Sequence, residues 1–184
     1  GNNMLNTLRS MYSMIGTMDE NEPVGIIAEK AASGAIMGAR GNSGVILSQI
    51  IHGLAKGLHG KKTATCRQMS KAFQYGILYA YRAITTPVEG TILSVARGIA
   101  KGTREVIRVE PDFGKVLEAA IVAGEEALAR TPQQLKILAD ANVVDAGGQG
   151  LVFFLIGCLN GLTGKVADVD VKPMQPVIKR LEAK

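Results

Sequence analysis

The chain has 184 residues, 47% hydrophobic and 20% charged, a composition that rules out a disordered polymer and is enough to build one domain around its own core. Its 21 Lys and Arg against 16 Asp and Glu give a formal charge of +5, but the basic residues are scattered and the aromatics are four Tyr and four Phe with no Trp, which argues against nucleic acid as a partner. Cys66 and Cys158 form no C-x-x-C pair, and the most continuous apolar run, Leu151 to Ile156, falls far short of the roughly 20 residues that cross a bilayer, so a reduced, cytoplasmic and non-transmembrane setting is expected.

Met4, Leu8, Met11 and Ile15 recur at helical spacing, which predicts an amphipathic helix over 3–15 that Gly16 stops. The start, Gly1-Asn2-Asn3-Met4, has neither a basic nor an apolar stretch, so no signal peptide is expected, and the missing initiator Met reads as a fragment. Pro23 is placed as the first residue of a second helix running to about Met37. A third, about 42–58, carries Leu47, Ile50, Ile51, Leu54 and Leu58 on one face, with His52 and His59 on one side as surface or rim residues. Thr65 caps a fourth helix to about Arg82, and a fifth begins near Thr91. Asp112 caps a sixth through about Arg130, and Thr131-Pro132 opens a short seventh that frays by Asp140. An eighth, Leu151 to Leu162, is apolar nearly all round and is expected at the centre. After Gly164 the composition turns to two Pro and mixed charges, so 165–184 reads as a linker or outgoing segment. The methionines read mostly as core filler, not as a ligand set. No strand pair and no repeat is found, and the class is all-α.

Three irregular corners interrupt these helices, at 38–44, 85–91 and 145–150, each ending at a helix start and each offering Gly beside Ser, Thr or Asp. In Gly38-Ala39-Arg40-Gly41-Asn42-Ser43-Gly44, three glycines permit close approach to the backbone, and Asn42 or Ser43 is placed to cap a helix from Val45. A helix start offers free N–H groups and a partial positive charge, which suits a phosphate. On these seven residues alone, an ordinary helix-turn-helix corner remains the alternative. In an up-down array, corners two helices apart fall at one end, and the parity of the short seventh segment decides whether the third joins the others. Glu89, the one acid of the second corner, is read as a solvated charge, and no residue is an evident general base.

Gly38 to Ile46, Pro87-Val88-Glu89-Gly90-Thr91-Ile92-Leu93 and Val143-Val144-Asp145-Ala146-Gly147-Gly148-Gln149-Gly150 together resemble the nucleotide-binding domain of the dihydroxyacetone kinase L-subunit (DhaL) family, and are most similar to its bacterial fatty acid kinase branch. The resemblance covers about residues 1–164, which it marks as one N-terminally truncated domain. It implies an antiparallel barrel of eight helices that binds ATP or ADP beside magnesium ions. Gly1, Asn2 and Asn3 match the tail of the family's Asp-Gly-Asp-Thr-Gly-x-Asn-Met motif, so they would border the phosphates while the metal-binding aspartates would precede residue 1. The chain alone would then bind Mg·ATP weakly and be inactive.

By the same matching, Asn42, Ser43 and Gly44 would hold phosphate oxygens, Gly90 and Thr91 would add a second phosphate contact, and Asp145, Ala146 and Gly147 would line the base and ribose side. Capping by Asp145 is compatible with that contact. Arg40 departs from the dihydroxyacetone kinase form of the motif and fits the fatty acid kinase form, which implies a fatty acid acceptor presented by a partner protein or domain. The alternatives are a dihydroxyacetone kinase subunit working with a dihydroxyacetone-binding partner, and a non-catalytic regulatory module whose barrel holds a lipid.

Overall fold

A computed structural model describes residues 2–165, and all regular structure among them is helical. The helices are α1 (Asn2–Ile15), α2 (Val24–Gly38), α3 (Gly41–Leu58), α4 (Cys66–Arg82), α5 (Ile92–Thr103), α6 (Val106–Val109), α7 (Phe113–Ala129), α8 (Thr131–Gln134), α9 (Lys136–Asp140) and α10 (Ala146–Leu162). The expected short seventh helix is thus two short ones, α8 and α9, and α6 is additional, its four residues too few to show a period. Apart from Lys165, the expected linker 165–184 lies outside the described residues, as does Gly1. Among the described residues no helix is long and apolar enough to cross a membrane.

The chain divides into two compact units. The first comprises Gly1–Pro87 with Ile107–Pro111 and is organised around α3, which packs against α1, α2 and α4. Leu47, Ile50 and Leu58 of α3 are 0–1% exposed, each contributing about 1.5–3 kcal/mol relative to an exposed side chain. The α3–α4 crossing is close because small residues meet there: a Cβ on Gly53 would lie 2.6 Å from the Tyr75 carbonyl oxygen, and one on Gly76 would lie 2.4 Å from that of Ile50. A capping box starts α4, in which the Gln68 N–H donates to Thr65 Oγ1 (3.2 Å) and the Thr65 N–H donates to Gln68 Oε1 (2.9 Å).

The second unit, Val88–Val106 with Asp112–Lys184, is organised around α5, which packs against α7 and α10 through Ile92, Leu93, Val95, Ala96 and Ile99. Asp112 caps α7 by accepting the Gly114 N–H at 2.8 Å, as its type and position predict. Helix α10 begins at Ala146, five residues before the expected start. Asp145 caps it, and Gly147 and Gly148 are buried, the latter with Val95 and Leu128 where a Cβ would stand. Tertiary packing here overrides the poor helix propensity of glycine. Nor is α10 central all round: Leu151, Val152 and Leu155 are buried, whereas Phe153, Gly157, Cys158, Gly161 and Leu162 are exposed.

Candidate functional site

The first corner is built by a close approach of α1 to the α2–α3 turn. Arg40 is extended, and Gly41, at φ 60°, turns the backbone into α3. All three corner glycines face one ridge of α1: a Cβ on Gly38 would lie 2.3 Å from Ser10 Cβ, on Gly41 2.2 Å from Asn3 Nδ2, and on Gly44 2.9 Å from Thr7 Oγ1. Their first role is therefore to admit α1. Thr7 is fully buried and donates its hydroxyl to the Asn3 carbonyl at 2.9 Å, within α1's own ladder.

The expected cap at Asn42 or Ser43 is not formed. Because Gly41 makes the turn, α3 starts at Gly41 with Arg40 at the N-cap position, and no side chain caps it. Asn42 and Ser43 instead occupy the first turn, Asn42 exposed, Ser43 half-buried and Gly44 buried. The first four N–H groups of a helix have no partner inside it, so this turn presents open donors and the positive end of the helix dipole. Asn3, itself exposed, lies against the turn through Gly41, and Asn2 precedes it on α1. Arg40 donates to the Met37 and Ala39 carbonyl oxygens, at 3.2 and 2.7 Å, so its guanidinium closes the end of α2.

In the second unit, the end of the second corner meets the third. The Asp145 carboxylate accepts the Gly148 N–H at 2.7 Å together with the N–H groups of Gly147 and of Ile92, the first residue of α5. One side chain thus caps α10 and fastens the start of α5. Burial outweighs these hydrogen bonds and raises its pKa above the ordinary value. The Asp145 N–H in turn donates to Thr131 Oγ1, at 3.1 Å, on a threonine that is fully buried. Ala146 is exposed and Gly147 buried behind the cap.

Gly90 is buried at φ 79°, and the Thr91 hydroxyl donates to the Val88 carbonyl at 2.8 Å. Glu89 is exposed, as read, but it is paired. Arg97 forks onto both of its carboxylate oxygens and Ser94 Oγ donates to Oε2 at 2.6 Å, which together hold its pKa below the ordinary value. The partner is eight residues downstream across a turn, a separation that helical spacing rules do not reach.

The histidines lie on a groove of about 390 Å³ between α2 and α3. His59 Nδ1 lies 2.6 Å from Glu29 Oε1, and His52 packs edge-on to Tyr79 with ring centroids 5.4 Å apart. Of the methionines in the described residues, Met4 is buried whereas Met37 is 65% exposed, so not all of them fill core.

A DAK2 domain family model matches residues 1–160. Among curated proteins, an uncharacterised protein of Staphylococcus epidermidis is 39% identical over 150 residues, which are 82% of this chain and 27% of that protein. Protein YloV of Bacillus subtilis is 36% identical over 182 residues, 99% of this chain and 32% of YloV. The chain thus spans about a third or less of the length of these relatives.

Proposed function

This chain belongs to the DAK2 domain family of kinase-associated, nucleotide-binding helical domains, and on that premise we propose that it binds ATP or ADP with the phosphates against the first turn of α3. One observation carries the reading: α3 begins on a glycine corner with no side-chain cap, leaving its amide donors and dipole open beside Asn42, Ser43 and Asn3. Gly44 belongs to the same turn, and Gly1 and Asn2, which precede Asn3 in sequence, are proposed beside it. Gly90 and Thr91 are proposed as further phosphate contacts, and Asp145, Ala146 and Gly147 as contacts to the ribose and base. The starts of α5 and α10 are closed internally by Asp145, which favours α3 as the principal anion site.

Magnesium is the proposed counter-ion of the nucleotide. Among the described residues no group of three or more His, Cys, Asp or Glu could hold a metal ion, so these residues by themselves do not fit a magnesium site. Phosphoryl transfer asks chiefly for positioning and for donors aimed at the transferring oxygens, which open backbone amides supply. We place the chain in a cytoplasmic ATP-dependent kinase whose acceptor is a fatty acid, presented by a partner protein and converted to an acyl phosphate. A carboxylate is already a nucleophile and needs no general base, and the α3 turn carries none. Arg40 supports the fatty acid class only as a motif residue, because its side chain is engaged with α2.

The test is Ser43→Ala combined with Thr91→Ala in the full-length protein. Titration calorimetry should show ATP affinity reduced about tenfold or more with the circular dichroism spectrum unchanged. Unaltered affinity in the folded double variant overturns the assignment.

A further inference from the structure

The side chains that hold the second corner form a directed chain. The Gly90 N–H donates to Ser94 Oγ at 2.9 Å, Ser94 Oγ donates to Glu89 Oε2 at 2.6 Å, and the Arg97 guanidinium holds that carboxylate, with Nη1 2.8 Å from Oε1 and Nη2 on Oε2. A carboxylate has no proton to offer, so the serine hydroxyl must donate toward Glu89 and is left as the acceptor for Gly90. Ser94 is buried, and Gly90 is packed on its other side, where a Cβ would stand 2.7 Å from Leu135 Cβ and 2.9 Å from the Thr131 carbonyl oxygen. The next residue but one is fastened as well, since the Ile92 N–H is held by Asp145. Thr91 therefore sits between two fixed neighbours. Its own hydroxyl is held only by the Val88 carbonyl, on an exposed residue where water can take its place.

We propose that Glu89 is a positioning residue: acting through Ser94 and Gly90, with Arg97 holding its carboxylate, it fixes the turn that aims Thr91 at the nucleotide phosphates. The proposal rests on the nucleotide reading above, gives the motif's Glu89 a role, and adds two side chains outside the motif, Ser94 and Arg97. Glutamate is required over glutamine because an amide at this position has protons of its own. It can donate to Ser94 and reverse that one link, freeing the serine proton from residue 89, and it offers Arg97 one acceptor in place of two. The lowered pKa of Glu89 is consistent with a carboxylate that stays ionised in the fold.

The experiment uses the full-length protein and its Glu89→Gln and Ser94→Ala variants, with affinities for MgADP and for adenosine measured by calorimetry beside thermal unfolding. Each variant should weaken MgADP about tenfold and leave adenosine within about twofold, because a pre-set turn is worth most to the group it contacts. The double variant should be no weaker than either single one, since both break the same chain. Wild-type MgADP affinity in Glu89→Gln overturns the proposal, as does an equal loss of MgADP and adenosine, the signature of general structural damage. If the wild type itself fails to bind MgADP, the nucleotide reading has failed and the positioning role falls with it; binding by the wild type with no change in either variant overturns the positioning role alone.

Discussion

Three backbone amides, those of Ile92, Gly147 and Gly148, converge on the Asp145 carboxylate, and still its pKa stands above the ordinary 3.8 because burial costs the charged form more than these donors return. The fold therefore favours the protonated acid. That contribution is fully present below the unfolded value and is lost as pH rises through the raised folded value. The stability of the wild type relative to Asp145→Asn, which cannot ionise, should fall as pH is raised from ~3 to ~7, as read by urea unfolding of both proteins across that range. A difference that grows with pH would contradict the burial argument. Asp145→Ala, which removes the acceptor altogether, should cost about 2 kcal/mol at low pH, the scale of a lost cap with amides left unpaired, and less as pH rises, by the same linkage. Glu89 has the opposite sign. Its lowered pKa contributes stability above the unfolded value and loses it as pH falls, and its half-exposed position makes that contribution small.

At the scale of elements, glycine carries two meanings that the sequence cannot separate. Gly38, Gly41 and Gly44 recur every three residues, which fits an anion loop and equally fits a helix face cleared for a neighbour. The structure shows the second use, against Ser10, Asn3 and Thr7, while leaving the α3 amides open for the first. Local signals were legible at other helices: the Thr65 and Asp112 caps and the periodic stripes of α1, α3 and α5 all lie within a few residues of what they determine. The start of α10 was not, because Ala-Gly-Gly-Gln-Gly reads as loop until Val95 and Leu128 are known to lie where a side chain on Gly148 would go. The contrast can be measured with two mid-helix glycines. Gly76→Ala drives a Cβ to 2.4 Å from a backbone carbonyl oxygen and should destabilise by about 2–3 kcal/mol. Gly157→Ala on α10 meets nothing within 4 Å and should stabilise by up to ~1 kcal/mol through propensity alone. Urea midpoints that rise for both would show that propensity, not contact, governs these positions.

For the whole molecule, the sequence motifs divide between the two units: the corner at 38–44 lies in the first, that at 145–150 in the second, and the corner at 85–91 passes from the first to the second after Pro87. Chain parity left the third corner's placement open, and the Asp145 carboxylate resolves it within the second unit by taking the amide of Ile92. A ligand stabilises whatever binds it, by about 2.7 kcal/mol at a hundred times its Kd, and amide exchange reads that stabilisation residue by residue. With the phosphates on the open turn of α3, saturating MgADP should give its largest protection at Asn42, Ser43 and Gly44, with slower exchange spreading through α1 and α2, which pack on α3. The amides of Gly147 and Gly148 already have an acceptor and should change less on ligand addition. Protection confined to α5 through α10, with the first turn of α3 unchanged, would sink the assignment of the phosphates to α3, because an uncapped helix start left exchanging freely has no anion on it.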